Sequence, residues 1–443
     1  MHNAHLKIAV LFGLGLLASS VQAALNAVAT QTNYGFPVWY QDTHGRALEL
    51  CLSTAERTPG AGFMCPLLPE PGFDPAQPIV LGGDAQNFPG EAFWSTGDAF
   101  IQGSGINLTY ISALEAAFSA EQPVAGDQIS FARIRIRVDV TTAGTYIITH
   151  PYGVEVFNVV SPGTRAINMT RDIGIGAPGQ FAGALKGDVG PFLRSINGPY
   201  VVGDETFLGD PNVLEPVTGS PFGTNYVRIQ GPNGLDLTTS NFAVSGKLSS
   251  VVLPTPMIVE RSTYARSSVS ETDPETGAPI SVTVAQQDVF VEAPPPPATV
   301  SFVDSAGASV AMSEADTTGS WYGQSSASPT PLGSISVSAD NSAAMPPNAP
   351  SSASSQLVDQ VTISTATFSV GSGVLTIAAS SSDETAAPTL AARATSSGVN
   401  LGELAGETHA KSSAFRLTSI PPAQVTVTSA NGGSDTEAVV ILP

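Results

Sequence analysis

The strongest periodic signal in the chain is "SFARIRIRVDV", residues 130–140. Ala132, Ile134, Ile136, Val138 and Val140 alternate there with Arg133, Arg135, Arg137 and Asp139. A period of two marks a strand with one buried face, so the apolar set is expected in a core and the charged set on the opposite side. Side chains on one strand face follow each other at about 6.7 Å, which makes the three arginines neighbours. Arg133, Arg135 and Arg137 are therefore predicted to face the surface as a candidate binding face. Three readings compete. The stripe is a solvated face offset by nearby acids, each exposed pair contributing about 0–1 kcal/mol; or it is a site for an anion or acidic glycan; or it is an interface with an acidic domain, such as the second half of this chain.

The same patterning runs through the first half. "FPVWYQ" and "ALELCLS" flank "DTHGR" as a hairpin, "TYIITH" and "GVEVFNVV" flank "PYG", and "TNYVRIQGP" is a further strand. In "AGTYIIT" a Gly-x-Tyr opens a strand, the form of a tyrosine corner, and this suggests an immunoglobulin-like core over 125–245. One short helix is expected over 108–120, where Ile111, Leu114 and Phe118 recur at helical spacing and Pro123 stops the run.

The second half repeats itself. "IVERSTYARSS", "QDVFVEAPPPPATVSF" and "LGSISVSADNSAA" have counterparts in "VTISTATFSVGSG", "VLTIAASSSDETAAPTLAA" and "PAQVTVTSANGGSD". Short alternating strands bounded by turn residues, in a unit of roughly 100 residues, indicate a β-sandwich. The expected fold is all-β and multidomain: a β-rich N-terminal domain with one short helix at 24–250, then two tandem immunoglobulin-like β-sandwiches at 251–346 and 356–443. The Pro- and Ser-rich stretch at 347–355 reads as the linker between them.

Ahead of these, residues 1–23 read as a signal peptide. Lys7 precedes an apolar run too short to span a bilayer, and Val21-Gln22-Ala23 has the small-x-small form of a cleavage site. No later segment is long and apolar enough to insert in a membrane. An exported protein, periplasmic or extracellular, is expected. Cys51 and Cys65, the only cysteines, then pair as a disulfide; closing a loop of about 15 residues stabilises by about 3 kcal/mol.

Charge and composition narrow the function classes. The 443 residues carry a formal net charge of −20, and only 12% are charged. This acidity argues against nucleic acid and anionic membrane as partners. Familiar catalytic motifs are missing. Gly174-Ile175-Gly176-Ala177-Pro178-Gly179 matches G-x-G-x-x-G by letter, but the glycine-broken "QFAGALKGDVGP" that follows does not support the helix a dinucleotide needs. After the signal only His44, His150 and His409 remain, widely separated, and His150 in "THPYG" is the one candidate general base. Carboxylates are plentiful, but their pairing for glycoside hydrolysis is not readable from sequence. Calcium can be held by loop carboxylates and carbonyls of exported sandwiches, although no D-x-[DN]-x-[DN]-G loop is present; no other cofactor is expected. Trp39, Tyr40 and Trp94, with Trp321, are candidate aromatic contacts for a sugar, but Trp39 and Tyr40 are adjacent on a strand and point to opposite faces.

"FPVWYQD…LELCL", "FARIRIRVD", "THPYG", "GDVGPFLRS" and "TGSPFGTNYVRIQGP" together resemble exported bacterial proteins of uncharacterised activity. The tail, with "VTISTATF" and "VTVTSANGGSD", looks like the immunoglobulin-like β-sandwich repeats found on such proteins. The resemblance implies export and fold and carries no catalytic residues. The expected function is that of a non-catalytic exported structural or adhesion protein at the cell surface or in the extracellular matrix, with a surface glycan or a protein as partner. The alternatives are a carbohydrate-binding module protein and a periplasmic hydrolase.

Overall fold

The structure, a computed structural model, describes residues 25–68, 73–315, 318–418 and 420–443. The signal peptide expected at 1–23 lies outside these residues.

The alternation of residues 130–140 builds the strand Gln128–Val140, whose burial alternates residue by residue from Ala132 onward. It lies second in a seven-stranded antiparallel sheet, in the order Gly163–Ile173, Gln128–Val140, Ile106–Phe118, Ala92–Gly103, Asn241–Ser245, Glu215–Thr218, Arg194–Ser195. The helix expected over 108–120 is instead the strand Ile106–Phe118. Leu108 pairs with Val138, Tyr110 with Ile136 and Leu114 with Ala132, and Leu108, Tyr110, Leu114, Ala116 and Phe118 join the main core. The cause of the misreading is local. Near its C-terminal end the strand is buried on both faces, since Ala117 packs with Ile129 and Phe131 on the far side. Its period of two is blurred there, and pairing on both edges overrides the helical preference of an alanine-rich stretch. Among the described residues the only helices are two short 3-10 turns, Ala182–Lys186 and Pro232–Gly234.

Two smaller sheets cover the seven-stranded one. The first runs Gly153–Val159, Gly144–His150, Val227–Gly231, Leu235–Thr239; the second runs Leu25–Val28, Tyr40–Asp42, Ala47–Glu49, Lys247–Leu248, Glu205–Phe207, Tyr200–Val202. Their buried residues form one cluster from Leu25 to Leu248, so the segment before residue 125 shares its core with the segment after it. Tyr146 at the start of the Gly144–His150 strand donates its hydroxyl to the Thr142 carbonyl at 2.7 Å, the bond that defines a tyrosine corner.

Two further sandwiches follow. In the middle unit a five-stranded sheet built on the long hairpin Ile258–Thr272/Pro279–Glu292 faces the sheet Ser309–Ala311, Thr299–Val303, Ser334–Asp340, Ser351–Gln356. Tyr264, Val291, Phe302, Trp321 and Val337 fill the space between. The third unit packs Ala410–Arg416, Val374–Ser381, Val361–Ser369, Val440–Leu442 against Asn400–Glu403, Leu390–Ala394, Gln424–Ser429, Ser434–Ala438, over Phe368, Leu375, Ile377, Leu390, Val425 and Val427. The stretch 347–355 is not a linker. Ser351–Gln356 pairs along its length with Ser334–Asp340 as an edge strand of the middle unit, and Asn348 is buried. An edge strand needs a partner on one side only and tolerates prolines at its start, so its composition resembles that of a linker.

Candidate functional site

The register places the arginine stripe on the face of the long sheet opposite the main core. Arg133 is fully engaged. Its Nε and Nη2 hold the Asp172 carboxylate at 2.7 and 2.9 Å, its Nη1 reaches Glu115 at 3.0 Å, and its guanidinium lies 4.9 Å from the centre of the Phe131 ring. Burial works against its charge, but Asp172 and Glu115 more than offset this and raise its pKa. Glu115 is 1% exposed, and burial pushes its carboxyl up to about 8 against the pull of Arg133.

The other two arginines lack such partners. Arg135 donates from Nε to Thr170 Oγ1 at 3.2 Å, and burial lowers its pKa, with Arg133 and Arg137 on either side adding to the effect. Arg137 has a buried Nε without a hydrogen-bond partner among the described residues. Across the strands, Ile111 pairs with Arg135 and Asp98, and Thr109 pairs with Arg137 and Phe100. Phe100 is exposed. The arginines thus lie on the predicted side, but they are half-buried rather than open to solvent.

The aromatic candidates are placed differently. Tyr40 and Trp94 are fully buried and meet edge to face with centroids 4.8 Å apart. The Tyr40 hydroxyl bonds Ser130 Oγ at 2.6 Å and donates to the Phe181 carbonyl at 2.9 Å. This takes both out of reach of a sugar. An irregularity between Phe93 and Ser95 accompanies the inward turn of Trp94, a local shift in register that alternation alone does not reveal. Trp39 is half-buried. Trp321 belongs to the middle core and donates its indole N–H to the carbonyls of Ala293 and Pro294. Cys51 and Cys65 are bonded to each other.

The histidines do not converge. His150 is 0% exposed; its Nδ1 accepts from the Tyr152 N–H at 3.2 Å, and its Nε2 lies 4.0 Å from Glu155. In this structure His150 is a core residue. His44 sits at the border of the first and second units, 3.2 Å from the Thr318 carbonyl, and burial lowers its pKa. His409 pairs with Glu384 at 3.9 Å. Among the described residues no group of three His, Cys, Asp or Glu side chains is arranged to hold a metal ion.

What sequence reasoning missed is a cleft of about 600 Å³ between the first and second units. Tyr152, Pro191 and Phe222 line it from one side and Met257, Ile258 and Glu292 from the other, with Lys186 and Asp188 on its wall. Asp188 takes the Arg171 Nε at 2.7 Å, and Arg171 Nη1 continues to Glu155 at 2.6 Å. The second Asp188 oxygen is buried without a hydrogen-bond partner among the described residues. No local motif announces this cavity, because its walls come from segments far apart in the chain.

Polar contacts fasten the units to each other. Asn348 donates to the Gly45 carbonyl at 2.9 Å and Gln41 to the Pro254 carbonyl at 3.2 Å at the first junction. At the second, Arg266 grips Asp383 at 2.7 Å, Tyr264 donates to Asp383 at 3.0 Å, and Asn431 donates to the Tyr264 hydroxyl at 2.9 Å.

No family model and no curated protein matches the chain. Among solved structures, it is similar to the ectodomain of the teleost fish polymeric Ig receptor, at 8% identity over 35% of this chain and 92% of that one, with a TM-score of 0.20. It is also similar to a structure from a 1.5-MDa bacterial ice-binding adhesin, at 11% identity over 71% of this chain and 91% of that one, with a TM-score of 0.15. A third is the BSP domain of a biofilm-associated protein, at 10% identity over 79% of this chain and 67% of that one, with a TM-score of 0.17. At such values the matches carry no argument about function.

Proposed function

We propose that this is a non-catalytic exported structural or adhesion protein that acts at the cell surface or in the extracellular matrix. The observation behind the reading is the use made of buried polar groups. At the second junction Tyr264, Arg266, Asp383 and Asn431 interlock two sandwiches, and at the first Gln41 and Asn348 do the same with backbone carbonyls. Side chains that would serve chemistry in an enzyme here hold three β units in series, the arrangement of a spacer that presents surfaces. The Cys51–Cys65 bond fits an oxidising compartment.

The test is a deletion strain complemented with the full-length gene, scored for attachment to a surface and for the protein in the extracellular fraction. Attachment should fall on deletion and return on complementation. Unchanged attachment, or turnover by the purified protein in a screen of esters, glycosides and phosphates, would overturn the reading.

The cleft favours a second reading, a glycan-binding module. Its supporting outcome is a glycan-array signal that Phe222→Ala removes; a blank array counts against it.

A further inference from the structure

The long hairpin of the middle unit reaches beyond its own sandwich. Residues 267–272 and 279–284 pair only with each other, while the next strand begins to pair at Gln287. Six residues of extended chain project roughly 20 Å. By register Ser267 faces Val284, Val269 faces Val282 and Glu271 faces Ile280, and opposed residues share a face. One side of this arm is therefore aliphatic with Glu271 near its end, and Val269, Ile280 and Val284 are exposed there. The other side carries Ser268, Ser270, Ser281 and Thr283. At the tip Asp273 binds the N–H groups of Glu275 and Thr276. Among the described residues no cation pairs with Glu271, Asp273 or Glu275. A two-stranded ribbon with apolar side chains in water is marginal alone and gains from a surface to lie on.

A surface with the complementary pattern lies on the long sheet of the first unit. Arg135 and Arg137 have no carboxylate partner among the described residues, the Arg137 Nε is buried and unbonded, and the exposed Phe100 lies two strands from Arg137 beside Ile111. Like charges crowd this face, and an acidic occupant relieves them. Among the described residues no hydrogen bond or ion pair joins the arm to Arg135 or Arg137 within one chain.

We propose that the acidic arm of one copy docks on the Arg135/Arg137 face of a second copy, with Glu271 and Glu275 against the guanidinium groups and the valines against Phe100 and Ile111. The contact joins two different patches, so it is heterologous and repeats head to tail into a chain or a ring. It deepens the adhesive reading by naming self-association as the way the protein builds an extracellular layer, and it rests on that reading only for its biological setting.

The experiment is sedimentation of the mature full chain across a concentration series at low and high salt. Wild type should associate, with affinity falling roughly tenfold or more in high salt. Arg135→Glu/Arg137→Glu and Glu271→Lys/Glu275→Lys should each be monomeric where wild type is not, and an equimolar mixture of the two should associate again. Arg135→Gln/Arg137→Gln, which keeps polar stems in place, should also weaken association and covers the case in which the reversal disturbs the sheet. A monomeric wild type, association untouched by either charge reversal, or a mixture that stays monomeric overturns the proposal. If instead the acidic arm is dispensable and a soluble polyuronate binds the arginine face, that too overturns it in favour of a glycan. Self-association that persists without any attachment phenotype in the deletion strain sinks the adhesive reading alone.

Discussion

Asp98 is half-buried on the long sheet, with one carboxylate oxygen shut off from solvent and unbonded. Burial raises its pKa from 3.8 to about 7. A carboxyl raised in the folded state keeps a proton that the unfolded chain has released, so its stabilising contribution is complete below about pH 4 and is lost as pH climbs to about 7. Asp98→Asn should flatten that part of the profile and be more stable than wild type at pH 8 by about 1–3 kcal/mol. Urea midpoints at pH 5 and pH 8 for both proteins check this, and parallel profiles would refute it. Glu115 contributes in the same direction from about 4.5 to about 8, so the variant retains some slope. At this scale the sequence was legible where one physical rule dominates. Ile134, Ile136 and Val138 lie in the core because alternation admits no other side. The fate of each arginine was not legible. Arg133 is consumed by Asp172, a residue on the neighbouring strand that only pairing brings opposite it.

Elements were read correctly where turns and pairing agreed with composition. The hairpin around residues 42–46 forms, with Tyr40 opposite Leu48. The two cysteines pair, and their bond closes a segment whose Met64 packs with Phe207 and the disulfide. Replacing both with alanine should cost about 2–4 kcal/mol, measured by thermal or urea unfolding against the oxidised protein. No loss would mean that packing alone fixes the segment. The misread elements share a cause. The strand Ile106–Phe118 looked helical because part of it is buried on both faces, and the edge strand Ser351–Gln356 looked like a linker because its serines need only one partner strand. Burial on the second face is a tertiary fact and leaves no periodic trace.

For the whole molecule, the second junction is the sensitive point. Asp383 is 0% exposed and held by Arg266 and Tyr264. Arg266→Ala strands a buried carboxylate and should cost about 3–5 kcal/mol in the cooperativity between the second and third units. Limited proteolysis and small-angle scattering should show the third sandwich released. An unchanged scattering profile would show that the remaining hydrogen bonds suffice. The first junction is also pH-sensitive: burial lowers the His44 pKa, with the Arg46 and Arg194 charges adding to the effect and Asp42 opposing it. Its folded pKa lies below that of the free residue, so folding stability falls as the solution turns acid.

The sequence by itself determined the class of the molecule. Alternating strands, Gly- and Pro-rich turns and a repeated tail require sheets packed over apolar cores, and the all-β fold follows because these are local and nearest-neighbour rules. The tertiary structure alone decided which polar groups are spent and which remain open. Arg133 is locked while Arg135 and Arg137 are not, Tyr40 and Trp94 vanish into the core, and a cleft appears between two units. Each of these depends on partners far away in the chain, whose approach is set by packing and not by any pattern a single strand carries.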